Sequence, residues 1–340
     1  MMFTKTIIKR WAITKVTCLL LVTLFFTLHE ASAQKQNEQI DAYAKTFSLD
    51  DTNANIEVFA QALAKPYTTE YDKARVLFAW MGTHIRYDFK KLEAMAAKGF
   101  KVETRARSQA EADRKIQESR DAETLKCFKS KRGVCEDYSR MYQKMCTAIG
   151  LECQFIDGVA KHLSQRTKGM EHAWNTVKID GKWQLLDATW GAGYCEDETF
   201  KAEYSPGFFA VDPHFFILNH LPNDNKWQFL EKPLEKDAFK RQPWFNYGQK
   251  TYPIVDVQPL DAALKSQDGN ASIKLKFTEK PALIMLSSPS GRPIPYVESQ
   301  KEGYIVLTFN VSSFSYIYLN VGKTKHAEKF TTIGKFYIEL

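Results

Sequence analysis

The chain has 340 residues, of which 26% are charged, and a formal net charge of +7. A charge this small for the length does not indicate a nucleic-acid-binding protein. Four basic residues and one acidic residue lie in residues 1–33, so the other 307 residues carry 43 Lys+Arg and 39 Asp+Glu, a net charge of +4. That length exceeds one typical domain and favours two packed cores.

Residues 1–33 have the three parts of a secretory signal peptide. Basic residues precede an apolar run from Val16 to Leu28, and the small residues Ala31-Ser32-Ala33 follow it. This order predicts cleavage after Ala33. The apolar run is shorter than the ~20 residues that a membrane-spanning helix requires. The sequence therefore predicts an exported bacterial protein, secreted or periplasmic, whose mature chain has no transmembrane anchor.

Residues 34–88 are predicted to be helical up to an extended end, "HIRYD". Apolar residues recur there at helical spacing, at Ala74, Leu77, Phe78 and Met81. Residues 89–125 are rich in charge and poor in large apolar side chains. This composition predicts a solvated helical excursion, and the alternative is a lid over a substrate or partner.

The stretch "RGVCEDYSRMY" opens an amphipathic helix that is predicted from Arg132 to Gly150. One stripe of this helix is apolar, at Tyr138, Tyr142, Met145 and Ile149. Cys135 lies at the N-terminal end, where unpaired backbone N–H groups and the helix dipole favour a thiolate. Burial without a polar neighbour would make the same thiol inert, so both interpretations remain open at this point.

Five cysteines follow residue 33, and an odd number in an oxidising compartment leaves at least one thiol free or intermolecular. They are Cys127, Cys135, Cys146, Cys153 and Cys195. If Cys135 is the reactive thiol, the other four could form two disulfides. The alternative is that all are buried and reduced, because pairing cannot be deduced from a sequence.

Asp180-Gly181 lies between two apolar-rich runs and predicts a two-residue type I′ hairpin. In that register Ile179 faces Lys182, and the side chains of His172 and Asp187 lie on one face of the hairpin. They are then within reach of an imidazole–carboxylate hydrogen bond. An aspartate that holds an imidazole in one tautomer is the second half of a Cys-His-Asp triad.

The composition of the chain changes twice in the remaining residues. Residues 206–230, "PGFFAVDPHFFILNHLPNDNKWQFL", are aromatic and predicted to be irregular, wrapping the core. Beyond about residue 232, short β-type runs alternate with Pro, Gly and Ser. Such spacing predicts a small antiparallel sandwich.

Three blocks in chain order resemble the transglutaminase-like (papain-like) superfamily, and specifically its kyphoscoliosis-peptidase-like branch. They are "LFAWMGTHIRYD", "GVCEDYSRMYQKMCTAIGLECQFIDG" and "EHAWNTVKIDGKWQLLDATWG", and "VDPHFFILNHLPNDNKWQFL" fits the same branch. The resemblance implies an α+β fold with the nucleophile at a helix N-terminus, packed on an antiparallel sheet. It places Cys135, His172 and Asp187 at the catalytic positions. The backbone N–H of Cys135 is a candidate oxyanion donor.

The sequence thus predicts a signal peptide (1–33), a transglutaminase-like domain with an N-terminal helical segment (34–232) and a β-rich C-terminal domain (233–340). The leading hypothesis is an enzyme that attacks an amide of a peptide or protein substrate through an acyl-enzyme. Hydrolysis is favoured over cross-linking, because water needs no acceptor site. The alternative is a non-catalytic module of the same fold that binds cell-surface or cell-wall protein or glycan. No cofactor is expected, and the spacing of Cys and His predicts no metal site.

Overall fold

The computed structural model describes residues 32–49, 55–97, 106–161, 163, 170–196, 199–246, 254–260, 263–311 and 314–339. Most of the predicted signal segment, residues 1–31, lies outside these ranges. Within them, no helix has both the length and the apolarity to cross a membrane. The described chain combines helices with largely antiparallel sheets, which confirms the predicted α+β class.

The N-terminal part of the described chain is helical, as predicted. Its helices are α1 (32–46), α2 (Ile56–Ala64), α3 (Glu70–His84), α4 (Phe89–Ala97) and α5 (Gln109–Ser130). The side chains of Asn55 and Thr69 cap α2 and α3 by accepting backbone N–H groups. Helix α4 buries none of its side chains and α5 only three, so the described part of the charged excursion is solvated, as its composition predicted.

The helix that carries Cys135, α6, begins at this residue and not at Arg132, where the sequence placed its start. Arg132–Gly133 is instead a short strand, β2, which pairs in parallel with β1 (Arg86–Tyr87). Helix α6 (Cys135–Ala148) ends just before Gly150, whose φ of 81° suits the left-handed position after a helix.

A four-stranded antiparallel sheet lies against α6. Its order is β5-β4-β3-β8, formed by β3 (Cys153–Ala160), β4 (Met170–Ile179), β5 (Lys182–Leu186) and β8 (His220–Pro222). A helix, α7 (Ala188–Ala192), follows β5, and β6 (Gly193–Glu196) pairs with β7 (Thr199–Ala202). One hydrophobic cluster joins helices α1, α2, α3 and α6 to β4 and β5, and it includes Trp80, Tyr138 and Val177.

The predicted hairpin register is confirmed. Ile179 pairs with Lys182, and Asp180 and Gly181 form the turn with φ values of 48° and 78°. Positive φ at both central positions is the requirement of a type I′ turn.

The aromatic stretch 206–230 is more ordered than predicted. It contains a short helix, α8 (Pro213–Phe216), and then β8, which extends the sheet by pairing with β3. The prediction of an irregular segment was therefore wrong for residues 213–222. Helix α9 (Lys236–Arg241) follows.

The C-terminal residues form two sheets around a second hydrophobic cluster. The first has the order β10-β12-β16-β15, from β10 (Ile254–Gln258), β12 (Asn270–Phe277), β15 (Tyr296–Lys301) and β16 (Tyr304–Asn310). The second has the order β11-β18-β17-β13-β14, with β9 also paired to β18. Its strands are β9 (Trp244–Phe245), β11 (Leu264–Lys265), β13 (Leu283–Ser287), β14 (Pro293–Ile294), β17 (Tyr316–Gly322) and β18 (Thr331–Glu339).

These sheets are antiparallel except for one parallel pair, β11 with β18. Among the described residues, no sheet combines strands from before residue 233 with strands from after it. The domain limits themselves stay a prediction.

A buried lysine ties the end of β3 to the chain that leads into the C-terminal sheets. Nζ of Lys161 donates hydrogen bonds to the carbonyl oxygens of Phe239 (2.8 Å) and Gln242 (3.1 Å), and Nε1 of Trp244 donates to the carbonyl of Lys161. Burial, with a smaller contribution from Lys335, lowers the pKa of Lys161 to about 7.

This pKa predicts a specific dependence of stability on pH. Because the folded pKa of about 7 lies below the ordinary lysine pKa of 10.5, the unfolded chain binds the additional proton between these two pH values, and folding becomes more favourable as pH rises. Relative to Lys161→Met, the wild-type free energy of unfolding is expected to rise by about 1 kcal/mol per pH unit over that range.

Urea unfolding at several pH values checks this expectation. Lys240→Met in the exposed part of α9 serves as the matched control, because Lys240 is paired at the surface with Asp237 and should not change the pH dependence. If the free energies of unfolding of wild type and Lys161→Met differ by the same amount at every pH, the prediction is contradicted.

Candidate active site

Cys135 is the first residue of α6, and its side chain is half-buried. The turn before it is held by Asp137, whose Oδ2 accepts the backbone N–H of Val134 at 2.8 Å. Gly133 is required there, since a Cβ would lie 2.5 Å from Sγ of Cys127 and 2.8 Å from Cβ of Asp137. The thiol therefore lies at a helix N-terminus, as the sequence predicted, and the backbone that leads into this helix is held in place.

Asp137 is in turn held by a lysine from the charged excursion. Nζ of Lys91 lies 2.8 Å from Oδ1 of Asp137 and 2.7 Å from Oε2 of Glu123. The excursion thus supplies the counter-charge for a carboxylate that is almost fully buried two residues after Cys135.

His172 lies on β4, directly opposite Gly158 of β3, and is 6% exposed. Its Nε2 is 2.7 Å from Oδ2 of Asp187, which confirms the predicted contact. Asp187 has no exposed surface. Its other oxygen, Oδ1, accepts the backbone N–H groups of Thr189 (2.8 Å) and Trp190 (3.0 Å) at the start of α7.

The backbone reaches this contact differently from the predicted hairpin. The β4–β5 ladder ends at Asn175 and Leu186, and the N–H of Asp187 donates to the carbonyl of Phe208 instead of continuing the strand. Asp187 is thus the N-cap of α7. Its side chain points to His172 because it caps a helix there.

The electrostatics of the pair follow from burial and from mutual attraction. Burial alone would lower the pKa of His172, but the charge and hydrogen bond of Asp187, with a hydrogen bond to Cys135, raise it to about 10. Burial would raise the pKa of Asp187, yet the interactions with His172 and with His220 hold it well below its usual range. An imidazole with a raised pKa is a strong acceptor for the proton of the neighbouring thiol.

His220 is a site residue that sequence reasoning missed. It begins β8, has no exposed surface, and its Nε2 lies 3.0 Å from the same Oδ2 of Asp187 that contacts His172. The available signal was a histidine inside the apolar run "FFILNHLP". Such a residue is usually structural, and only the pairing of β8 with β3 brings it to Asp187.

Tyr87 also lies beside the thiol. Its strand pairs with β2 so that Tyr87 is opposite Gly133. Burial, and then the neighbouring thiol of Cys135, raise the pKa of Tyr87 above its usual range.

His172, Asp187 and His220 each offer one possible metal-ligand atom, and these atoms lie within 4.8 Å of one another. Their contacts of 2.7 and 3.0 Å are those of N–H···O hydrogen bonds, with one carboxylate oxygen accepting from two rings. Because these bonds satisfy the three atoms, we assign no metal to the cluster.

The other thiols differ from Cys135 in their surroundings. All five described cysteines are free, as in the alternative without disulfides, and Cys127, Cys146 and Cys153 are buried. Burial raises the pKa of Cys127 to about 12. Cys195 is exposed at the surface, and partial desolvation by the surrounding chain raises its pKa to about 11. Burial likewise raises the pKa of Cys153 well above its usual value.

Comparison with known proteins shows which proteins this chain is similar to. Residues 57–188 match the model of the transglutaminase-like superfamily. The chain is 23% identical to the human kyphoscoliosis peptidase over 254 residues, which are 71% of this chain and 34% of that protein. It is 24% identical to Drosophila melanogaster hillarin over 234 residues, which are 62% of this chain and 26% of that protein.

The matched region thus spans about a third of the length of the kyphoscoliosis peptidases. A solved structure of a TGase is 16% identical, with a TM-score of 0.28, and the match covers 52% of this chain and 40% of that one. The sequence of residues 57–188 thus has the pattern of the transglutaminase-like superfamily, and the proteins similar to this chain include the kyphoscoliosis peptidases.

Proposed function

We propose that the protein is an exported, cysteine-dependent enzyme that acts on amide bonds of peptides or proteins, with Cys135, His172 and Asp187 as its triad. The observation that carries the proposal is the 2.7 Å contact between His172 and a fully buried Asp187, on a sheet packed against the helix that begins at Cys135. A buried imidazole–carboxylate pair beside a thiol is the arrangement that nucleophilic catalysis requires.

The residues have distinct roles in this mechanism. His172 takes the proton of the Cys135 thiol, and the sulfur attacks the amide carbonyl. The oxygen that becomes negative is stabilised by the backbone N–H of Cys135, which belongs to the first turn of α6 and needs no intrahelical partner. His172 then returns the proton to the leaving amine, so that an acyl-enzyme remains.

Asp187 stays ionised and keeps the His172 ring in one tautomer, with Nε2–H directed to Oδ2, which leaves Nδ1 to accept the proton of the neighbouring thiol. Water or an amine completes the cycle by attacking the acyl-enzyme, with His172 again accepting a proton. We favour water, because an amine would need its own binding site beside the thiol.

The test is incubation of the protein, without residues 1–33, with a peptide library in the presence and absence of a primary amine, with products identified by mass spectrometry. Cleaved peptides that require Cys135 support hydrolysis, and amine adducts that require Cys135 support acyl transfer. If the wild type and Cys135→Ala give the same products, the enzymatic proposal is wrong and the fold serves as a binding module.

A further inference from the structure

We propose that His220 is a positioning residue of this site: its Nε2–H donates to the same Oδ2 of Asp187 that accepts from His172, helps to fix the carboxylate, and withdraws part of its charge from the His172 ring. The inference rests on the proposed function and adds a fourth residue to the Cys135–His172–Asp187 set. It concerns how strongly His172 holds its proton, which decides how well it serves as an acid.

The carboxylate of Asp187 has its hydrogen-bonding capacity filled. Oδ1 accepts two backbone N–H groups at the start of α7, and Oδ2 accepts from His172 at 2.7 Å and from His220 at 3.0 Å. A fully buried carboxylate with four donors around it cannot rotate without losing several of them. His220 thus supplies half of the hydrogen bonds that hold Oδ2.

His220 cannot swing away from Asp187. Its ring stacks on Phe216 with centroids 4.2 Å apart and planes 19° apart, and it packs against Trp190 at 4.5 Å and Trp174 at 5.1 Å. Its backbone is paired in the sheet, opposite Ala160 of β3. The N–H group of His220 therefore remains directed at Oδ2 while the reaction takes place at Cys135 and His172.

The surroundings of His220 favour a neutral ring. Burial lowers its pKa, the hydrogen bond and charge of Asp187 and the carbonyl of Phe216 oppose this effect, and His172 adds to the lowering. The ring centroids of the two histidines are 5.6 Å apart, so protonation of both is disfavoured. His172, and not His220, is therefore the ring that carries the additional proton.

Titratable groups face this pair from a small set of elements. Asp187 lies between the rings, Cys135 approaches His172 from α6, and the hydroxyls of Tyr87 and Tyr138 interact with Asp187 from β1 and α6. The other described neighbours of His220 include the aromatic rings of Trp174, Trp190 and Phe216 and the carbonyl of Phe216. The N–H of His220 is thus the donor whose removal changes the charge that Asp187 presents to His172.

The first test measures the titration of the His172 ring by NMR of protein labelled with 15N-histidine, between about pH 5 and 11. His220→Phe keeps an aromatic ring against Phe216 but removes the donor. We expect the His172 midpoint to rise by about half a unit to one unit, because one hydrogen bond to the carboxylate is lost. His220→Gln places an N–H group where Nε2 was and should leave the midpoint at the wild-type value.

The second test uses the wild type alone and therefore does not depend on how the variants fold. The 15N spectrum should show His220 neutral, with its proton on Nε2, from pH 5 to 9. An imidazolium, or a proton on Nδ1 instead, would overturn the proposal, as would an unchanged His172 midpoint in folded His220→Phe.

Neither test requires turnover. A wild type that cleaves no peptide but shows the expected titrations would refute the proposed function and leave the role of His220 standing. Turnover that depends on Cys135, with a His172 midpoint indifferent to His220→Phe, would refute only the role of His220.

Discussion

Iodoacetamide near pH 6 is expected to alkylate Cys135 at least about tenfold faster than any other cysteine of the protein. Cys135 has a proton acceptor beside it in His172, whereas Cys195, with a pKa of about 11, has roughly one part in 10⁵ as thiolate at that pH. A basic thiolate is intrinsically the better nucleophile, but this advantage recovers only about half of the deficit on a logarithmic scale. Cys127, with a pKa of about 12, is buried as well.

Removal of the imidazole should abolish this preference. In His172→Ala the thiol has no proton acceptor, so the labelling of Cys135 should slow roughly 100-fold, the lower end of what a positioned general base contributes. His214→Ala is the matched control, since His214 is exposed and outside the site. Peptide mapping after short exposure measures both rates. Similar labelling of several cysteines, or a rate indifferent to His172→Ala, would count against the triad.

Asp187→Asn should lower turnover by about 10³- to 10⁴-fold and also destabilise the protein. An asparagine keeps one oxygen for the N–H groups of Thr189 and Trp190, but it turns an NH₂ group toward the two ring N–H donors. His172 is then driven to the wrong tautomer. Loss of a fully buried charge pair costs about 3–5 kcal/mol of stability.

The pH dependence of this cost has a definite sign. The pKa of His172 is raised from 6.5 to about 10 in the folded protein, so the pair stabilises the fold fully below about pH 6.5 and loses its contribution as pH rises toward 10. Thermal or urea unfolding should therefore show the largest difference between wild type and Asp187→Asn near pH 6, and a smaller one near pH 10.

Asp212→Asn is the control for helix capping. Asp212 also accepts an N–H group at a helix start, that of His214, but it lies at the surface. Its substitution should cost no more than about 1 kcal/mol. Equal costs at the two positions would show that Asp187 acts only as a cap.

The parts of the site that sequence reasoning predicted are those encoded by local patterns. Asp180-Gly181 dictates its own turn and with it the register of β4 and β5, and the apolar stripe after Cys135 indicates a helix. The family blocks added the assignment of Cys135, His172 and Asp187.

The parts that were missed depend on pairing across long stretches of sequence. Helix α6 starts at Cys135 because residues 86–87 pair with residues 132–133, and the charged excursion between them hides this pairing. His220 reaches Asp187 because β8 adds to the edge of β3 some 60 residues away. Only a glycine at position 158 permits this backbone approach, since a Cβ there would overlap the carbonyl oxygen of Leu221 and lie 2.8 Å from Cα of Pro222. The apolar residues around β8 do not alternate with polar ones as they would in a half-buried strand, so the sequence does not indicate this strand.

The pairing of β8 with β3 bears on where the structural module that contains the site must end. The family match stops at residue 188, whereas a chain cut there would lose both N–H donors to Oδ1 of Asp187, lose His220 from Oδ2, and leave β3 as an open edge. Open edges invite pairing with other chains. Recombination that moves this module between proteins should therefore carry residues 189–222 with it, and natural fusion points are expected beyond Pro222.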